Sequence, residues 1–74
     1  MIVDTKYIIG LLKKKKISQS ELAKAGNYIS RSHLNAVLHG YQRVGPKTES
    51  NITEGLKNLK FTAIEISKVF IEEP

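Results

Sequence analysis

Side chains able to do chemistry in this chain point to binding, not to turnover. Cysteine is absent, which excludes a thiol nucleophile, disulfides and thiolate metal sites. His33 and His39 stand six residues apart, off the one-face spacing of a helical metal pair, with no carboxylate alongside. No glycine-rich phosphate loop is present. No enzyme activity, metal, cofactor or small-molecule substrate is therefore expected. What remains is a polar and basic set. It comprises Gln19, a cluster at Arg31, Ser32, His33 and Asn35, a second cluster at Tyr41, Gln42, Arg43 and Lys47, and the run Lys13-Lys14-Lys15-Lys16.

The charge is unevenly placed. Residues 1–47 hold nine Lys/Arg and two Asp/Glu, net +7, while residues 48–74 hold three and five, net −2. A basic first two-thirds suits a polyanionic partner, although it also serves solubility. A length of 74 residues allows one domain at most. A chain of this size buries only about 60% of its unfolded surface. No apolar run approaches the roughly 20 residues that span a bilayer. The first residues lack a signal-peptide layout, and together with the missing cysteine this points to the cytoplasm.

Local signals place the polar set on helices. Ser18 and Glu21 form a capping box, flanked by Ile17 and Leu22 as a hydrophobic staple, and open a helix over Gln19 to Ala25. Ser30 caps a second helix, Arg31 to Leu38, with Ile29 and Leu34 at its staple positions. Gly26-Asn27 between them is a turn signal, since both residues tolerate a left-handed backbone. Leu34, Val37 and Leu38 repeat at i, i+3, i+4, leaving Arg31, Ser32, His33, Asn35 and Ala36 for the other faces. Gly40 suits the left-handed position that ends this helix.

The remaining chain frames this unit. A first helix is expected over Thr5 to Lys15, capped by Asp4, with Tyr7, Ile8, Leu11 and Leu12 facing inward. Gly10 there could admit a close neighbour. The lysine run at its end either complements the helix dipole or contacts phosphates. A fourth helix should start at Pro46 and reach Leu59 along the line Ile52, Leu56, Leu59, with Gly55 weakening it. Residues 61–71 have strand-forming types but helical spacing. Thr62 and Glu65 make a capping box, and the expectation is a helix from Ala63 to Ile71. Ile64, Val69, Phe70 and Ile71 are more apolar groups than one face of a short helix can bury. They either complete the core or form a dimer contact. Residues 72–74 should fray.

Three segments together resemble the phage-repressor and Cro-like helix-turn-helix family. They are Ile17-Ser18-Gln19-Ser20-Glu21-Leu22-Ala23, Ile29-Ser30-Arg31-Ser32-His33-Leu34, and Val37-Leu38-His39-Gly40. The line Ile52-Leu56-Leu59 resembles the family's fourth helix, and the likeness covers residues 5 to 71. It implies an all-α, compact five-helix domain over residues 1–74, with the helix-turn-helix at about 18–40. One departure stands out: the turn Gly26-Asn27-Tyr28-Ile29 is one residue longer than the family's, so Tyr28 would project from it.

The resemblance also implies roles. Arg31, Ser32 and Asn35 would meet base edges in the major groove of double-stranded DNA, with His33 beside them on a base or a phosphate. Gln19, at a helix N-terminus, would grip a phosphate. Tyr41, Gln42, Arg43, Lys47 and Lys14 would track the backbone and set affinity more than sequence choice. The implied protein is a transcriptional regulator of phage or mobile-element type. A homodimer would use the last helices or form only on DNA. The rival reading is an antitoxin-like or anti-repressor module that uses the C-terminal apolar face on another protein.

Overall fold

A computed structural model describes residues 1–26 and 30–72. The described residues hold five helices and one two-stranded sheet: β1 (Ile2–Val3), α1 (Thr5–Lys14), α2 (Gln19–Ala25), α3 (Arg31–Leu38), α4 (Pro46–Asn58), α5 (Ala63–Ser67) and β2 (Phe70–Ile71). The architecture is the all-α, five-helix one expected, with a minute sheet added. Asn27, Tyr28 and Ile29, and with them the expected lengthened turn and the Ile29 staple, lie outside the described residues. So do Glu73 and Pro74, two of the three residues expected to fray.

Most helix starts follow from their caps. Asp4 accepts from the Tyr7 N–H at 3.2 Å and opens α1. Ser18 and Glu21 close the capping box of α2, with both bonds at 3.1 Å. Thr62 and Glu65 do the same for α5, at 2.9 and 3.1 Å. Pro46 occupies the first turn of α4, where a missing N–H costs nothing.

Three helices end alike. After α1, α3 and α4 the chain takes a left-handed residue, Lys16 (φ 55), Gly40 (φ 78) and Lys60 (φ 70). Each is followed by the paired bonds of a Schellman motif: Ile17 to Leu12, Tyr41 to Ala36 and Phe61 to Leu56, at 2.9, 2.9 and 3.1 Å. Only Gly40 was legible as such an ending. A lysine at this position costs roughly 1–2 kcal/mol of backbone strain.

The core draws on every helix. Ile8, Leu22, Leu34, Val37, Leu38, Ile52, Leu56 and Val69 are fully buried, with Leu11, Leu12, Phe61 and Ile66 nearly so. Among the described residues no polar or charged residue is buried, and no helix is long and apolar enough to cross a membrane.

The end of the chain corrects the expected helix over Ala63 to Ile71. Helix α5 stops at Ser67, where the Lys68 and Val69 N–H groups bond three residues back, to Glu65 and Ile66. The chain then extends, and Phe70–Ile71 pairs antiparallel with Ile2–Val3. The Asp4 N–H donates to the Val69 carbonyl at 2.7 Å. The β-branched residues that made this stretch ambiguous are satisfied by pairing with the start of the chain, a partner nearly seventy positions away by sequence number.

Candidate nucleic-acid interface

Helix α3 turns Leu34, Val37 and Leu38 into the core, none of them measurably exposed. At 3.6 residues per turn this leaves Arg31, Ser32 and Asn35 outside, and all three are exposed. They share one open depression of about 380 Å³ with Gln19, the first residue of α2. Four of the expected site residues, from two helices, thus meet in one place. Among the described residues, the side chains of Arg31, Ser32 and Asn35 have no hydrogen-bond partner, so their donors and acceptors are available to a ligand.

His33 does not join them. Its ring is half-buried and turned toward α4, with Nε2 at 3.3 Å from Thr48 Oγ1. In this arrangement the side chain ties α3 to α4 and does not line the depression that the other three share.

Helix α4 holds the helix pair at other points too. Asn58 Nδ2 donates to the Ala25 carbonyl at 3.1 Å, satisfying an acceptor at the open end of α2. Gly55 is buried, and a Cβ there would stand 2.9 Å from the Gly26 nitrogen and 3.2 Å from Leu22 Cδ1. The absent side chain lets the end of α2 rest against α4. The close approach foreseen at Gly10 is not found, because Gly10 is exposed and a Cβ there would meet nothing within 4 Å. Gly55 was detectable, since it falls within the apolar line of Ile52, Leu56 and Leu59. Thr48 and Asn58 carry no signal in the sequence, because each acts on a residue distant along the chain.

The loop after α3 is pinned from inside. Val44 is buried and its N–H donates to the Met1 carbonyl at 2.9 Å. This holds Tyr41, Gln42 and Arg43 at the surface, with Tyr41 80% exposed and stacked on His39 at 6.2 Å between ring centroids. Lys47 is exposed in the first turn of α4, beside Thr48.

The lysine run divides by role. Lys15 donates to the Lys60 carbonyl at 2.7 Å and lies over the Phe61 ring at 4.4 Å from its centroid. It therefore fastens the end of α4, a use that neither reading of the run foresaw. Lys14 is exposed, and its charge acts on Glu65. The Glu65 carboxyl is held below the ordinary glutamate value, chiefly by the Thr62 backbone N–H. Desolvation opposes this, while the Thr62 hydroxyl, Lys14 and Lys15 reinforce it.

Of the four residues read as a dimer contact, Val69 is withdrawn, because it is fully buried in the core of its own chain. Phe70 is half-buried and packs on that core. Ile64 and Ile71 remain open, at 69% and 43% exposure.

Two short helices, with the outer one offering unpartnered polar groups and a third helix bracing both, define a helix-turn-helix unit. A family model described as helix-turn-helix matches residues 8–58, and the chain belongs to that family, the Cro/C1-type DNA-binding transcription regulators. Its partner is double-stranded DNA, and the family is generally non-enzymatic. No curated protein and no solved structure matches the chain.

Proposed function

We propose that this protein is a sequence-specific repressor or Cro-like regulator acting in the cytoplasm on an operator in double-stranded DNA. The observation that carries the reading is the meeting of Gln19, Arg31, Ser32 and Asn35 in one open depression. Arg31 suits a bidentate bond to guanine O6 and N7, Asn35 the same to adenine, and Ser32 is permissive. Gln19 takes a phosphate at the N-terminus of α2. Lys47, Tyr41, Gln42 and Arg43 follow the backbone and set register. Lys14 adds longer-range charge, since it also acts on Glu65. The operator is two-fold, with half-sites about one helical turn apart, and is read by a homodimer. The likeness to phage repressors supports a phage or mobile-element setting, and a single domain over residues 1–74 fits the shared core.

Selection of duplexes from a random pool, followed by salt titration, tests this. A consensus should emerge, and affinity should fall steeply with salt. Arg31→Ala should cost about 1–3 kcal/mol on the selected site and relax choice at one base position. Lys47→Ala should weaken all duplexes alike and lower the salt slope by about one. Binding without a consensus would reduce the protein to a non-specific binder. No salt-dependent binding at all would overturn the reading in favour of a protein-interaction module.

A further inference from the structure

Lysine stands at two places in this fold where a side chain strains the backbone. Lys16 and Lys60 take positive φ, 55 and 70, after α1 and α4, a position that glycine fills freely. Gly40 fills the equivalent position after α3. Neither lysine answers a need of its own helix. Lys13 and Lys14 already place cations in the last turn of α1, and Lys57 does so for α4. Lys16 and Lys60 lie beyond those turns. Solubility does not require them here either, since a charge serves it equally well at any unstrained surface position.

The fold brings the two turns together. Lys15 reaches from the end of α1 to the Lys60 carbonyl at 2.7 Å and covers the Phe61 ring. Its own ammonium is thereby engaged, while Lys16 and Lys60, on either side of this tie, are exposed. Among the described residues neither of their ammonium groups has a hydrogen-bond or ion-pair partner. The carboxylates nearest along the chain, Glu21 and Glu65, are each bonded in a capping box. Lys16 also stands three residues before Gln19, so their Cα atoms lie within about 11 Å of each other. Gln19 lines the depression shared with Arg31, Ser32 and Asn35. A DNA strand carries one phosphate per roughly 3.4 Å of axis, so a strand held at Gln19 has several more within that distance.

From two strained lysines joined by one tie, we infer that Lys16 and Lys60 form a phosphate clamp for DNA flanking the half-site, extending the contact surface past Gln19 onto the joint of α1 and α4. The inference rests on the reading of Gln19, Arg31, Ser32 and Asn35 as the operator face. It adds the α4–α5 turn to the contact surface, and it accounts for a charge kept at two positions that favour glycine.

Thermal melts without DNA, and salt titrations on two duplexes, test the clamp. One duplex ends at the selected consensus, and the other continues half a helical turn beyond it on each side. The longer duplex should bind the wild type more tightly, with a salt slope steeper by about 0.9 for each added phosphate contact. Lys16→Gly and Lys60→Gly should each melt a few degrees higher than the wild type, because the left-handed strain is relieved. The double variant Lys16→Gly/Lys60→Gly should bind the short duplex within about twofold of the wild type and lose about tenfold on the long one. Lys16→Asn/Lys60→Asn, which also suits a left-handed backbone, should repeat both results. Lys16→Arg/Lys60→Arg should keep the affinity for the long duplex and gain no stability. A double Gly variant that binds the long duplex as the wild type does overturns the inference, and so does one that melts no higher. In either case a loss of binding to both duplexes in Arg31→Ala leaves the operator reading standing. A wild type that binds neither duplex counts against the operator reading itself and removes the clamp's ligand with it.

Discussion

Helices α3 and α5 are both short, and they are held in opposite ways. Helix α3 opens on a long cap, with the His33 N–H 3.5 Å from Ser30 Oγ and no capping box to close it. Its hold comes from Leu34, Val37 and Leu38, all fully buried, and from the His33–Thr48 bond. Helix α5 has a complete capping box, yet it spans only five residues and buries Ile66 alone. A helix that leaves Arg31, Ser32 and Asn35 exposed is positioned by packing from behind, which keeps its front free of partners among the described residues. A helix that only returns the chain to the sheet is set by local bonds.

The largest effect should come from removing the packing that holds α3. Leu34→Ala is expected to cost about 2–5 kcal/mol, which for so small a core approaches complete unfolding in denaturant titration. A loss below 1 kcal/mol would mean that α3 is held by its cap after all. Gly55→Ala comes next. The new methyl presses on the Gly26 backbone, not on a flexible side-chain tip, so overpacking of about 1–3 kcal/mol is expected. Because the push falls on the end of α2, affinity for the selected duplex should drop further than Ala at an exposed position would lower it. Unchanged melting and unchanged affinity would remove α4 as the brace.

The caps sharpen the contrast at smaller scale. Thr62→Ala should lose about 1 kcal/mol and Ser30→Ala only a few tenths, because the Ser30 bond is long. Equal losses in thermal melts would erase the distinction between the two helices. The smallest effect is that of acid. The Glu65 carboxyl is lowered in the folded chain, so its contribution is present above the unfolded glutamate pKa and is lost as pH falls through the folded value. Amides at the start of α5 should therefore exchange faster on acidification before those of α3 respond. Simultaneous loss would show that the box does not act locally.

What could be read without the structure was what acts within one turn of helix. Ser18 with Glu21 and Thr62 with Glu65 are three residues apart, and each signal states its own geometry. The bounds of α2 and α3 followed directly, as did the exposed placement of Arg31, Ser32 and Asn35, because a buried stripe at i, i+3, i+4 dictates the opposite face. Lys16 and Lys60 carry no such signal, because nothing in a lysine announces a positive φ.

Legible in the residues alone, then, were the helices, their starts and the polar side chains that their buried stripes leave outside. The tertiary structure alone decided how those helices are aimed and how the chain ends. Gly55 against Gly26, Asn58 on Ala25 and Thr48 on His33 join residues 15 to 33 positions apart. Phe70–Ile71 became a strand because Ile2–Val3 stood ready to pair with it. Hydrogen bonds within a turn depend on neighbours that the chain always supplies. Close approach of backbones and strand pairing depend on neighbours that exist only once the core has formed.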